Sequence, residues 1–209
     1  MPEETAEAAV AALEAEIVAC RICRDRPLGR PLPHEPRPVP RLSATARVLV
    51  AGQAPGTRVH ASGLPFDDAS GDRLRAWMGV DRAAFYDRAR FAFLPMGFCF
   101  PGNDAHGGDL PPRRECAPAW RVRSMAVMPA VDLVLAVGRP AQLWHLGRDA
   151  GAGLGETVAR WREILARPVH PRVLPLPHPS WRNSGWLKRH PWFEAEVVPE
   201  LRRLVAERS

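Results

Sequence analysis

Four short apolar runs constrain this chain most: Arg47–Ala51 (RVLVA), Phe91–Met96 (FAFLPM), Val131–Val137 (VDLVLAV) and Arg172–Leu176 (RVLPL). Each is nearly continuous in apolar residues rather than alternating, and a loop or a helix-like stretch follows each one. Such strands need cover on both faces, and parallel neighbours need crossovers long enough to hold a helix. Helices are expected at 3–20, 69–79, 112–127, 139–146, 155–166 and 191–207. In the first of these, Val10, Leu13, Ile17 and Cys20 fall on one helical face. The pattern predicts an α/β fold, a three-layer α/β/α arrangement around a central, mostly parallel sheet of about four strands. Ligands of such sheets sit beyond the carboxyl ends of the strands. The loops after residues 51, 96, 137 and 176 are therefore the places to look for chemistry.

The chain has 209 residues, which suits a single domain over 1–209, and 46% of them are hydrophobic, enough for a sizeable core. Residues 26–43 (RPLGRPLPHEPRPVPRLS) form a Pro/Arg-rich connector, expected to be extended because proline removes donors and disfavours helix. No apolar run approaches the ~20 residues of a membrane helix. The acidic start MPEETAEAAV lacks the basic region of a signal peptide. We expect a soluble, cytoplasmic monomer without a membrane partner. The net charge of +6 suits a polyanionic partner. Of the 29 basic residues one is Lys188, which leaves 28 arginines, and codon bias accounts for that excess as readily as a phosphate-binding surface does.

The loop after the first run reads Gly52-Gln53-Ala54-Pro55-Gly56, a tight turn whose backbone N–H groups can bind an anion or a base oxygen. Gly63-Leu64-Pro65-Phe66-Asp67-Asp68-Ala69-Ser70-Gly71 then leads into a helix. Phe66 there is a core residue or a pocket ring, and Asp67 or Asp68 a helix cap or a functional acid. The loop after the last run reads Pro177-His178-Pro179-Ser180-Trp181-Arg182-Asn183, continuing to His190. A histidine at a strand end, followed by polar, aromatic and basic residues, suits nucleic acid: phosphate contacts from Ser180, Arg182 and Asn183, and insertion or stacking by Trp181. Two close cysteines, Cys20 and Cys23, precede these loops, and Cys99 and Cys116 lie between them. Cytoplasmic thiols stay reduced. The four can bind zinc or a cubane iron–sulfur cluster, or remain unliganded.

In this order the segments resemble the uracil-DNA glycosylase superfamily. Gly52-Gln53-Ala54-Pro55-Gly56 resembles motif A. Gly63-Leu64-Pro65-Phe66 followed by Asp68-Ala69-Ser70-Gly71 resembles the next segment of the iron–sulfur members, and His178-Pro179-Ser180 with Asn183 resembles motif B. Cys99-Phe-Pro-Gly-Asn103 is similar to the third-ligand segment of those members, so the resemblance implies a 4Fe-4S cluster on Cys20, Cys23, Cys99 and Cys116.

The resemblance also implies an activity: hydrolysis of the bond joining uracil, or another deaminated base, to its sugar in DNA. Such an enzyme holds an extruded base in a pocket, aims donors at the oxygen that becomes anionic, and places a carboxylate near the sugar. By resemblance, Phe66 stacks on the base, Gly52, Gln53 and Ala54 line its edge, and His178 donates to the leaving base. Ser180, Trp181, Arg182 and Asn183 engage DNA. The best-known members carry Asp where this chain has Ala54, so the acid is expected at Asp68, with Asp67 beside it. Members also read uracil through an Asn shortly before the third cysteine. Leu94-Pro95-Met96-Gly97-Phe98 holds none. Backbone groups would then read the base, or the substrate range would extend to deaminated purines. The competing class is a non-catalytic nucleic-acid-binding protein with the same fold.

Overall fold

A computed structural model describes residues 3–208. Four parallel strands, β1 (Val48–Ala51), β2 (Phe91–Phe93), β3 (Leu133–Val137) and β4 (Arg172–Leu176), form one sheet in the order β2-β1-β3-β4. Helices α1 (Glu3–Val18) and α2 (Ile22–Asp25) precede it. Helices α3 (Thr57–Ser62), α4 (Ala69–Met78) and α5 (Arg82–Phe85) join β1 to β2, and α6 (Cys116–Ala126) joins β2 to β3. Helices α7 (Arg139–Leu146), α8 (Leu154–Ala159) and α9 (Trp161–Leu165) lead to β4, and α10 (Ser184–Arg189) and α11 (Val198–Ala206) follow it. No helix among the described residues is long and apolar enough to cross a membrane.

Alternation within each strand divides the core in two. Leu49, Ala51, Ala92, Val134 and Ala136 face one way and meet Val10, Leu13 and Ile17 of α1, Trp120 of α6 and Ala141 of α7. Val48, Val50, Phe91, Phe93, Leu135 and Leu174 face the other way and meet Leu74 and Trp77 of α4, Trp161 of α9 and Leu201 and Leu204 of α11. Every strand residue except Arg172 is buried. Two-sided burial is the physical reason the runs are continuous rather than alternating.

The expected elements appear with adjustments, the helix expected at 112–127 starting only at Cys116. The second run pairs only to Phe93, because Pro95 has no N–H; the chain still runs beside the first loop, with Leu94 N–H donating to Val50 O (3.1 Å) and Met96 N–H to Gly52 O (3.0 Å). The 155–166 helix divides at Arg160 into α8 and α9. The 191–207 helix opens with a wide π-helical turn at Phe193–Val197, where Pro199 has no N–H to return to Ala195. The connector at 26–43 contains no regular helix or long strand. It covers the free edge of β2 through an antiparallel bridge between Arg41 and Phe93, with Phe93 N–H donating to Arg41 O at 2.7 Å.

Candidate active site

A cleft of about 420 Å³ opens at the carboxyl ends of β1, β2 and β4. The base-lining candidates Gly52, Gln53, Ala54, Phe66 and His178 and the candidate acid Asp68 all line it, as do the candidate DNA contacts Ser180, Trp181, Arg182 and Asn183. Asp67 does not. Its carboxylate pairs with Arg82 at 2.9 Å instead, so the two adjacent acids have separate duties.

Phe66 is held in an unusual backbone conformation. Its φ is +55°, the one positive value at a non-glycine among the described residues. A side chain that pays this conformational cost is held there by its surroundings. Two glycines make the arrangement possible. A Cβ on Gly71 would stand 1.7 Å from the Phe66 carbonyl oxygen, and a Cβ on Gly52 would stand 3.1 Å from the Phe66 ring. The Tyr86 hydroxyl donates to the preceding carbonyl, Pro65 O, at 2.8 Å. The ring packs edge-on against Phe85 and tilted against Phe93, each with centroids 6.3 Å apart. The ring thus has aromatic support while it borders the cleft.

Gln53 extends across the sheet top to the loop after β3. A Cβ on Gly138, whose φ is +85°, would lie 2.4 Å from Gln53 Nε2, so only glycine admits the amide there. Ala54 lines the cleft with a methyl group and supplies neither acid nor base.

His178 follows β4 between two prolines. The Asn183 side-chain amide donates to the His178 carbonyl at 2.7 Å, and Arg73 of α4 donates to the Ser180 carbonyl at 3.1 Å. Asn183, expected only as a phosphate contact, thereby also braces the histidine loop. Burial holds the His178 pKa below its ordinary value, while the nearby Asp68 charge pulls the other way. The imidazole is then neutral at neutral pH and keeps one N–H to donate. Asp68 caps α4, accepting from Gly71 N–H through Oδ1 at 2.9 Å. A cap uses one carboxylate oxygen. The second oxygen remains beside the cleft, so the cap leaves Asp68 free for a further role.

The cleft contains one acid that sequence reasoning missed. Asp109 sits in a hairpin between β2 and α6, where Asn103 and Asp109 form an antiparallel bridge. The Asp104 carboxylate staples the tip by accepting from the N–H groups of His106 and Gly108, both at 2.8 Å. Arg182 lies against this hairpin, its guanidinium 2.7 Å from where a Cβ on Gly108 would stand. Its own Trp181 neighbour is 76% exposed. A Gly-rich GNDAHGGD stretch was the only sequence cue, and it marks a turn without saying what the turn covers.

The four cysteines are free thiols that come together on the opposite side of the β2 exit, around a small cavity walled by Ile17, Phe98 and Trp120. Phe98 N–H donates to Cys116 Sγ at 3.3 Å. Burial, the largest effect, pushes Cys23 up to about 11 and Cys99 up to about 12, and raises Cys116 as well. Among the described residues no three His, Cys, Asp or Glu side chains are spaced to hold a single metal ion. Four sulfurs around one apolar cavity, with a backbone N–H turned to one of them, nevertheless make a donor set of the type that holds an iron–sulfur cluster.

A comparison with protein families adds one finding: the description "Uracil DNA glycosylase superfamily" matches residues 39–202, most of the chain and every cleft residue discussed above.

Proposed function

The chain belongs to the uracil-DNA glycosylase superfamily, and from that membership we propose that it removes uracil, and other deaminated bases of the same edge chemistry, from DNA in the cytoplasm, acting as a monomer that starts base excision repair. The observation that carries this reading is the convergence of a supported aromatic ring, a neutral imidazole and a carboxylate in one cleft: Phe66, His178 and Asp68.

Each group has a task in the reaction. Phe66 stacks on the flipped base through its open face. Gln53 lines the base edge. As the glycosidic bond breaks, the sugar gains positive charge and the base negative charge. The His178 N–H stabilises the base oxygen, and the Asp68 carboxylate steadies the cation or orients the attacking water. Ser180, Arg182 and Asn183 hold flanking phosphates, and Trp181 enters the space that the base leaves. Cys20, Cys23, Cys99 and Cys116 would hold a 4Fe-4S cluster. It would tie the turn after α1, α2 and α6 to the segment after β2, and the groups in the cleft account for the chemistry without it.

Ala54 favours a second reading, a binding protein that retains the fold without turnover. Incubation with a uracil-containing oligonucleotide, followed by alkaline cleavage of abasic sites, separates the two. Strand scission supports the enzyme. Binding without scission at stoichiometric protein supports the binding module.

A further inference from the structure

The cleft needs a group that recognises the base, and the segment that runs beside the first loop, residues 94–98, has its backbone N–H groups already committed. Leu94 N–H donates to Val50 O (3.1 Å), Met96 N–H to Gly52 O (3.0 Å), Gly97 N–H to Gln53 O (2.9 Å) and Phe98 N–H to Cys116 Sγ (3.3 Å). Pro95 has none. No residue of 94–98 has an N–H left for the base, and none has an amide side chain.

Asp109 enters from the other wall. The residue as a whole is exposed, yet its carboxyl is tucked against the first loop, with Oδ2 3.2 Å from where a Cβ on Gly56 would stand. Gly56 leaves the room that Oδ2 occupies. Oδ1 is fixed by the Asn103 amide, which donates at 3.2 Å. The hairpin beneath is closed by backbone bonds, Asp104 N–H to Gly108 O (2.7 Å) and Leu110 N–H to Gly102 O (2.9 Å). The carboxyl is therefore presented on a preorganised support.

We propose that Asp109 reads the lactam edge of the extruded base, its carboxyl group donating to the base carbonyl oxygen and accepting from the adjacent ring N–H. The inference rests on the glycosylase reading above. A carboxylic acid and a primary amide present the same donor–acceptor pair, so Asp109 supplies what an Asn would. Uracil, hypoxanthine and xanthine share the O=C–N–H edge; cytosine and adenine do not.

The surroundings shift the balance toward the neutral form. Partial burial of the carboxyl raises its pKa, and the charges of Asp68 from the α4 cap and Asp104 from the same hairpin raise it further. Arg182 from the loop after β4 and the Asn103 hydrogen bond oppose them. A phosphate that draws Arg182 off the hairpin removes the larger opposing effect. DNA binding and neutralisation of Asp109 are thereby coupled. The neutral form is present at low pH and is lost as pH rises through the raised pKa.

The test compares wild type, Asp109→Asn and Asp109→Ala in single turnover on uracil DNA from about pH 4 to about pH 9. The wild-type rate should fall on the alkaline side. Asp109→Asn should keep a rate within about threefold of the low-pH wild type and lose that fall, because an amide does not titrate there. Asp109→Ala should be slower by roughly 10- to 100-fold. The wild type should also discriminate against N3-methyluracil, which has no ring N–H, and Asp109→Ala should narrow that gap. Asp109→Asn as slow as Asp109→Ala would make Asp109 a general base and overturn the reading role. Wild-type release with an unchanged rate in Asp109→Ala overturns this inference alone. No release by wild type at any pH overturns the glycosylase reading and this inference together.

Discussion

The Gly71 Cα and the Phe66 carbonyl approach so closely that a single added carbon on Gly71 would stand 1.7 Å from the oxygen. The same Gly71 N–H is the one that Asp68 caps, at 2.9 Å. Phe66 and the Asp68 carboxylate are thus registered to one backbone position.

Gly71→Ala should therefore be severe. The contact is with backbone, which cannot rotate away, so the loss of stability should reach about 3 kcal/mol or more, the upper end of overpacking. Gly52→Ala meets only a ring edge at 3.1 Å, which can shift. It should change the melting temperature little and lower kcat/KM by displacing Phe66. Calorimetry and single-turnover rates on both variants check this, and equal effects would contradict it.

Asp68→Asn retains an oxygen for the cap but no charge. We predict a nearly unchanged melting temperature and a single-turnover rate lower by two orders of magnitude or more. Asp67→Asn loses an exposed ion pair with Arg82, worth about 0–1 kcal/mol, and should keep its rate. If Asp68→Asn keeps full rate, the carboxylate assignment is wrong.

His145 gives a pH dependence of stability. Arg121 is 1% exposed, donates to Leu94 O at 2.8 Å and places Nη2 against His145 Nε2. A guanidinium only donates, so Nε2 must accept and the ring is neutral. Burial first, and Arg121 second, hold the His145 pKa down to about 3. The unfolded value is about 6.5, so below it the unfolded chain takes a proton that the folded chain refuses. Stability is complete above about 6.5 and declines toward about 3, by up to ~1.4 kcal/mol per pH unit. His145→Gln still accepts from Arg121 and should flatten the acid side of a melting-temperature profile. An unchanged profile would remove His145 from the acid response.

Cys20, Cys23, Cys99 and Cys116 should bind about four irons per chain, with a broad visible absorbance, in protein prepared anaerobically with iron. Cys99→Ser should lower the iron content. Colourless, iron-free wild type under those conditions, or zinc in its place, would contradict the cluster.

The sheet was legible in the sequence because β1 to β4 are buried on both faces, which writes burial directly into continuous apolar runs. The ends of β1 and β4 then indicated Gln53 and His178. What escaped depends on tertiary approach. Asp109 reaches the cleft only because a hairpin folds back over Gly56. Gly138 matters only because Gln53 crosses from another loop. Arg121 looks like a solvent-facing helix residue by type, and its burial becomes intelligible only beside His145 and the buried carbonyl of Leu94. Asp67 and Asp68 were indistinguishable by position, and Arg82, fifteen residues along the chain in its pairing with Asp67, separates them.

The most direct test of the central claim is the quantity of free uracil released in single turnover by wild type and by His178→Ala at saturating enzyme. We predict complete release by wild type and a rate lower by about 10²–10³ in His178→Ala, with DNA affinity unchanged because phosphate contacts remain. No release by wild type, or an undiminished rate in His178→Ala, would contradict the account.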